Sequence, residues 1–467
     1  MHPRLLLTAA VTAFATGFSA LATLQHRAFW SGRFDVGNLV QAVWSTAHGR
    51  PLEITDLEGR QISRLGAHFD PVVMLLAPLW RLWPDPSLLL VAQASAVGVG
   101  ALPVFLLGRK HLGSEWAGLG CALAYLLYPP TQWLVLDDFH PVAFATPLLL
   151  GALWFLDEER LLPFAFLAAL ASLTKEQVGL AVAALGVWYA LARGRTRVGA
   201  AIAGAGALVS VLAVAVVVPH YAPGGGSPFE GRYEAVGGDP AGMLRTAVTD
   251  PGAIAAAVSE GRDLGYLLDL LLPLLALPLL APLAALVAAP EILLNLLSDT
   301  RTQTSIHFHY TAAAIPGLVG AAVFGAARLR RAPIAARALV LATLAAGVLL
   351  GPLPVWRHVP LGSDLAAREH LVGAHARVAA RAVALVPPDV PVSATNTLGA
   401  HLSERRRVFS FPVLREARWV AVDRSRPSFR DRAVAPQAFA RALRALRRDP
   451  RWQVVFDEDG VIVLRRR

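Results

Sequence analysis

Charge is what this chain has least of. Only 16% of its 467 residues are Asp, Glu, Lys or Arg, where a soluble globular chain carries about 25%. That deficit excludes one water-soluble domain. With 55% hydrophobic residues and a mean hydropathy of +0.50, the apolar surface exceeds what one globular core can bury, so lipid must solvate part of it. Cysteine is nearly absent. Cys121 stands alone in an apolar run, which excludes an internal disulfide and leaves the redox compartment unmarked. Lysine is scarce as well: Lys110 and Lys175 are the only two among 43 basic residues. No nucleic-acid motif accompanies the basic pI, so nucleic acid is not an expected partner.

What the chain has instead is a succession of apolar segments. They run Leu5–Leu24, Ser87–Leu107, Gly113–Tyr128, Phe139–Leu156, Leu161–Thr174, Glu176–Ala192, Val198–Val218, Leu264–Leu277, Leu280–Ser298, Phe308–Ala327 and Ile334–Val355. This predicts an all-α polytopic membrane protein of about eleven transmembrane helices, several shorter than the ~20 residues of a perpendicular span. Leu277–Pro282, with two prolines, reads as a tight turn between two of them. The membrane domain is expected over residues 1–355 and a basic soluble domain over 356–467. From Trp356 onward the chain holds 21 Arg against 11 Asp plus Glu, which accounts for the whole net charge of +10. Such a domain beside a membrane suits anionic headgroups or a phosphorylated substrate.

Basic residues set the expected orientation. Arg4, Arg109-Lys110-His111, Arg193 to Arg197 and Arg328 to Arg331 follow a pattern that places all four groups on the cytoplasmic side. The N-terminus is then cytoplasmic, the first span is a retained anchor, and the C-terminal domain is extracytoplasmic. The outer side receives loops 25–70 and 220–263 together with most of the concentrated ionisable residues, which at membrane depth usually mark function.

In the first outer loop, Phe34, Leu39, Val40, Val43, Trp44 and Ala47 have the spacing of a one-sided helix ending at Gly49 and Pro51. It reads as an amphipathic helix in the outer interface. Asp35 at its start is either an N-cap or a general base. His68-Phe69-Asp70-Pro71 and Asp138-Phe139-His140-Pro141 each place a polar residue before a helix-starting proline. Capping does not explain the paired His and Asp, or the extra Asp137. These groups suit a divalent cation, Mg²⁺ or Mn²⁺ if oxygens dominate and Zn²⁺ if imidazoles do, or else an acid–base pair. Lys175-Glu176, between two short apolar segments, is either a phosphate-binding site or an internal salt bridge. His307, His309 and Tyr310 open the tenth segment as an interfacial belt. The Pro223–Pro228 run, with three consecutive glycines, makes loop 220–263 a candidate mobile cover for substrate.

The tail reads as a small α/β domain. Val390–Thr395, Val408–Phe411 and Trp419–Val422 are expected strands, Gln437–Arg448 a helix, and Gln453–Phe456 with Val461–Leu464 a hairpin. No phosphate-binding glycine loop or nucleophile motif occurs there.

Phe34-Asp35-Val36-Gly37-Asn38 with Gln41 and Trp44, the two His/Asp-Pro motifs, Lys175-Glu176, and Asn295-Leu296-Leu297-Ser298 with His309-Tyr310 resemble a bacterial family of predicted membrane proteins of unknown function. That family is similar to the GT-C glycosyltransferases, multi-span proteins that use a polyprenyl-phosphate-linked sugar donor. The resemblance implies a GT-C-like fold in the bacterial inner membrane, with membrane lipid, the lipid-linked sugar and an acceptor glycan, lipid or protein as partners. It implies Asp35 as the base. It also implies Asp137, Asp138 and His140 as residues for acceptor or metal, and Lys175 for the donor phosphate; His68 and Asp70 of the other motif join them as acceptor or metal candidates. Glu176, His307, His309 and Tyr310 would support them. No cofactor is required beyond a possible divalent cation. The chain departs from protein mannosyltransferases in having Asp35-Val36 where they carry adjacent Asp-Glu. A transporter or lipid flippase, with discontinuous spans and buried charges, is the rival expectation. A non-catalytic envelope scaffold is a third.

Overall fold

The computed structural model describes residues 2–225, 230–363, 370–433 and 436–467. Among these, four helices are long and apolar enough to cross a bilayer: Pro3–Arg27, Ser87–Leu112, Thr196–Tyr221 and Pro333–Leu350. The pair Glu115–Leu127 and Pro129–Leu136, bent by 47°, adds a fifth if it is one span. Six further apolar helices have only 10–17 residues. Length and composition therefore support four or five full spans, not eleven. Proline and charge cut the rest short. Leu264–Leu277, for example, is a helix that ends at Leu271, before Pro273 and two left-handed residues, Leu275 and Ala276.

Small residues let the helices close up. A Cβ on Gly179 would lie 2.4 Å from the Gly206 carbonyl oxygen, and one on Gly186 would lie 2.5 Å from the Ala203 nitrogen. The helices Val178–Ala192 and Thr196–Tyr221 can pack this closely only because both positions are glycine, the usual device where lipid supplies no hydrophobic drive.

The molecule is charged at both ends of this bundle. At one end Lys110, His111 and Arg193 converge on Asp157, Arg4 and Arg109 meet Glu115, and Arg195 meets Glu159. Asp157 is the last residue of the helix Ala145–Asp157. His140, just ahead of that helix, belongs to the other end, about 20 Å away at 1.5 Å per residue.

The C-terminal domain is a five-stranded mixed sheet. Its strands are β3 (Val392–Ala394), β4 (Val408–Ser410), β5 (Trp419–Asp423), β6 (Trp452–Glu458) and β7 (Val461–Arg466), in the order β4-β3-β5-β7-β6. The first three are parallel, and β6 and β7 form the expected hairpin. Alternation sorts its core. Ala421, Val461 and Val463 face the helix Ala374–Ala384, whereas Val420, Val422, Ile462 and Leu464 pack with Leu443 and Leu446 of the helix Pro436–Arg448. A short hairpin in loop 25–70, β1 (Glu53–Thr55) with β2 (Gln61–Ser63), lies against the edge strand β4, where the Thr55 side chain accepts the Val408 N–H.

Candidate functional site

The site begins where the first span ends. After Arg27 the chain reverses through Phe29, at φ 63°, and forms a wide π-helical turn, Arg33–Gly37, before the helix Asn38–Ala47. Such turns are rare and concentrate at functional sites. The turn is clamped from outside. The buried Arg33 guanidinium donates to the Val408 carbonyl at 2.7 Å, Ser410 Oγ at 2.7 Å and the Thr55 carbonyl at 2.7 Å. Asn396 Oδ1 accepts the Phe34 N–H at 3.0 Å, and Asp138 Oδ2 accepts the Gly32 N–H at 3.2 Å. With its backbone held by the C-terminal domain and by Asp138, the turn presents Asp35 inward. Among the described residues its carboxylate accepts no hydrogen bond and caps no helix. The helix that follows is not interfacial. Leu39 through Ser45 are all buried, because Gln41 reaches the Arg405 and Arg406 carbonyls and the C-terminal domain covers the face expected to meet water.

Asp35 lines a small polar cavity of about 100 Å³ together with Arg64, His68, Asp70, His140, Lys175, Arg232, His309 and Tyr310. A larger cavity of about 520 Å³ shares His68, Lys175, Arg232 and Tyr310 with it. That second space continues along Leu180, Val214, Ala215 and Leu294, so a polar chamber opens into an apolar one. Val214 and Ala215 sit on the other π-helical turn, Ala213–Val217.

The sequence-predicted residues divide by what they touch. Lys175 lies with Nζ 5.6 Å from the Tyr310 ring centroid, and no ion pair or hydrogen bond holds its ammonium among the described residues. Its neighbour Glu176 takes the salt-bridge role: it faces His68 Nδ1 at 3.0 Å and accepts the Phe69 N–H at 3.1 Å. Asp70 is a structural carboxylate. Arg64 meets it with Nε at 2.9 Å and an Nη at 2.6 Å, both residues are buried, and Arg64 also reaches Asn38. Asp138 binds the Gly32 N–H and lies outside the cavity lining. Asp138 is therefore tied into the framework, whereas Asp70 lines the cavity as the ion-paired partner of Arg64. His307 packs edge-on against Trp133.

Asp137, His140 and His309 come together from two loops 172 residues apart. Asp137 Oδ2 accepts the His309 N–H at 2.7 Å, lies 2.9 Å from His309 Nδ1 and 3.7 Å from His140 Nε2, and the two imidazoles stack at 3.5 Å. His309 belongs to this cluster and not to an interfacial belt. Burial pushes the Asp137 carboxyl up and both imidazoles well below their usual range, with the Lys175 charge adding to the effect on His309. Burial also raises Asp35 to about 6, helped by the negative charge of Asp137 and opposed by Arg430, Arg64 and Lys175.

A family model described as "Predicted membrane protein (DUF2079)" matches residues 25–463. The chain belongs to the DUF2079 family. No curated protein matches it. In fold, this DUF2079 chain is similar to ArnT from Cupriavidus metallidurans in its apo crystal structure, with a TM-score of 0.53 over 97% of this chain and 98% of that one. The identity is 14%, so the likeness is one of fold, and it agrees with the GT-C-like polytopic architecture expected from the motifs.

Several residues in and around the two cavities have no role assigned from the sequence of this DUF2079 chain, Asn295 among them although it lies in one of the family motifs. Arg232 donates to Tyr310 Oη at 3.3 Å and lines both cavities. Asn295 bridges the Tyr310 carbonyl and Tyr266 Oη, and Glu291 lines the larger cavity beside Gln177. Arg430 of the C-terminal domain places its guanidinium 3.6 Å from the Phe34 ring centroid. Arg232 follows a glycine run that drew attention to the loop, although Gly226, Ser227 and Pro228 of that run lie outside the described residues. Arg430 carried no signal, being one of 21 arginines in the tail.

Proposed function

We propose that this chain is a membrane glycosyltransferase that moves a sugar from a polyprenyl-phosphate donor to a hydroxyl of an extracytoplasmic acceptor. The observation that carries this reading is the meeting of Asp35 and Lys175 in one polar chamber that opens into an apolar cavity. The fold it shares with ArnT, a GT-C glycosyltransferase, supports it.

In this mechanism the acceptor oxygen attacks the anomeric carbon and its proton passes to Asp35. The bond from that carbon to the phosphate oxygen breaks on the opposite face, so the anomeric centre inverts. Lys175 and Arg232 stabilise the charge on the departing lipid phosphate, which grows in the transition state. The apolar walls at Leu180, Val214 and Leu294 suit the first isoprene units. Because the donor stays anchored in lipid, the base must be held at a fixed depth. The Arg33 and Asn396 clamps do this.

Asp137, His140 and His309 are the residues that would hold a divalent cation. Their donor atoms lie within 4.8 Å of one another, and two imidazoles with one carboxylate suit Mn²⁺ or Zn²⁺ better than Mg²⁺. When bound, such an ion supplies positive charge for the phosphate. Without it, the same contacts make Asp137 and His309 a hydrogen-bonded acid–base pair.

The charge layout supports a cytoplasmic N-terminus and an outward-facing site. The Lys/Arg-rich end includes Arg4, and the C-terminal domain packs on the opposite end, against Arg33 and Gln41. On this reading the N-terminus and the C-terminal domain lie on opposite sides of the bilayer, with the end that holds Arg4 inside. A transporter needs ionisable groups along a path to both faces. Here the helix Ala145–Asp157 carries none before its last residue.

The test is transfer by purified protein from a panel of polyprenyl-phosphate sugars, with wild type and Asp35→Asn compared. Transfer that depends on Asp35 is expected. No transfer from any donor, or full activity in the variant, sinks the proposal.

A further inference from the structure

The C-terminal domain holds a cavity that the proposed chemistry does not use. Its volume is about 350 Å³, within the range of small-ligand sites. The floor is apolar, made by Pro427, Phe439 and Leu443, and the rim carries Arg424, Arg432 and Arg444. These three arginines are exposed, and none has an ion-pair partner among the described residues. The contrast with their neighbours is informative. Arg381, Arg406, Arg407, Arg447 and Arg451 each meet a carboxylate. Three uncompensated guanidiniums around an apolar floor attract an anion that also has a face to stack.

One carboxylate, Asp431, lines the cavity, but it is buried and engaged. It accepts the N–H groups of Asn396 and Ser428 and the Ser428 hydroxyl. Those bonds tie the cavity to the base. Asn396 holds the Phe34 N–H, and Arg430, adjacent to Asp431, lies over the Phe34 ring. The cavity wall is thus two hydrogen-bonded links from the residue next to Asp35.

We propose that this cavity binds an anionic sugar of the acceptor, a phosphate- or carboxylate-bearing glycan, and so presents a hydroxyl of that glycan to the Asp35 chamber. The inference rests on the transferase reading for its purpose, though not for the binding itself. The sugar ring lies on Phe439 and Leu443, as apolar sugar faces do. Its acidic group meets Arg432 and Arg444 in charge-assisted hydrogen bonds, which are stronger than neutral ones.

Equilibrium binding to the full chain in detergent tests this without turnover, with glucose 1-phosphate as probe, glucose as neutral control, and phosphatidylglycerol vesicles as the headgroup arm. Glucose 1-phosphate should bind, glucose should not, and Arg432→Gln with Arg444→Gln should weaken binding at least tenfold. Arg441→Gln with Arg448→Gln, on the helix that carries Arg444, removes the same charge away from the cavity and should leave binding unchanged. Equal binding of glucose, equal loss in both double variants, or binding to the vesicles alone overturns the proposal. If binding follows the Arg432 and Arg444 pair but no donor supports transfer, the cavity assignment stands and the transferase reading falls. Transfer to phosphate-bearing acceptors at full rate in the Arg432/Arg444 variant leaves the transferase standing and removes this site.

Discussion

If Asp35 is the base, transfer must follow its ionisation. Its carboxyl is raised from 3.8 to about 6, with burial as the leading cause and Asp137 next. At 1.36 kcal/mol per pH unit, that rise means the charged form is disfavoured by about 3 kcal/mol relative to water. The sign runs against acid: protonated Asp35 cannot accept a proton, so activity rises as pH rises through 6. A group with this value is about 90% ionised at pH 7 and about 10% at pH 5, so the rate should fall roughly tenfold over that interval. Asp35→Asn should lose a factor of roughly 10² to 10⁴ and also lose the acid limb. Arg430→Met removes the largest influence holding the carboxyl down, so its limb should move to higher pH with the fold intact. The assay is initial-rate transfer with saturating lipid-linked donor between pH 4.5 and 8, with thermal melting recorded at each pH to exclude unfolding. A flat wild-type profile, or the same limb surviving in Asp35→Asn, refutes the assignment.

Three other outcomes are expected. Asp70→Ala strands the buried Arg64 charge and should lower stability by about 3–5 kcal/mol, read as an earlier melt, while Arg64→Met with Asp70→Leu should recover much of it. Gly37→Ala puts a Cβ 2.6 Å from Ser403 Oγ and 3.0 Å from the Ala400 Cα, which should cost about 1–3 kcal/mol and expose the C-terminal domain to limited proteolysis before the membrane domain melts. The one native cysteine, Cys121, is buried, so introduced thiols can report topology: Arg50→Cys should react with an impermeant reagent in intact cells and Arg109→Cys only after lysis, and the reverse pattern inverts the proposed faces.

Much of the site could be read in the chain before any fold was known. The His/Asp-Pro motifs and Lys175-Glu176 stood out because ionisable groups interrupt apolar segments, where burial is costly. Which of those residues are presented and which are consumed could not be read. Asp70 and Asp138 resemble Asp137 in sequence, but only the fold brings Arg64 to the first and the Gly32 N–H to the second. The helix after Asp35 has a one-sided apolar pattern, which fits an interfacial helix equally well. It is buried because a sheet some 350 residues further on reaches over it through Arg405 and Arg406.

Composition and periodicity alone settled that this is a membrane protein with a basic α/β tail, and hydropathy and strand alternation located most elements. Those properties are local, fixed by residues within a few turns of one another. The tertiary structure decided the rest: His309 joins Asp137 across 172 residues, Arg430 covers the Asp35 turn, and the polar chamber opens into an apolar one. Contacts at such separation depend on how helices and sheet pack in three dimensions, and a single chain carries no periodic signal for that.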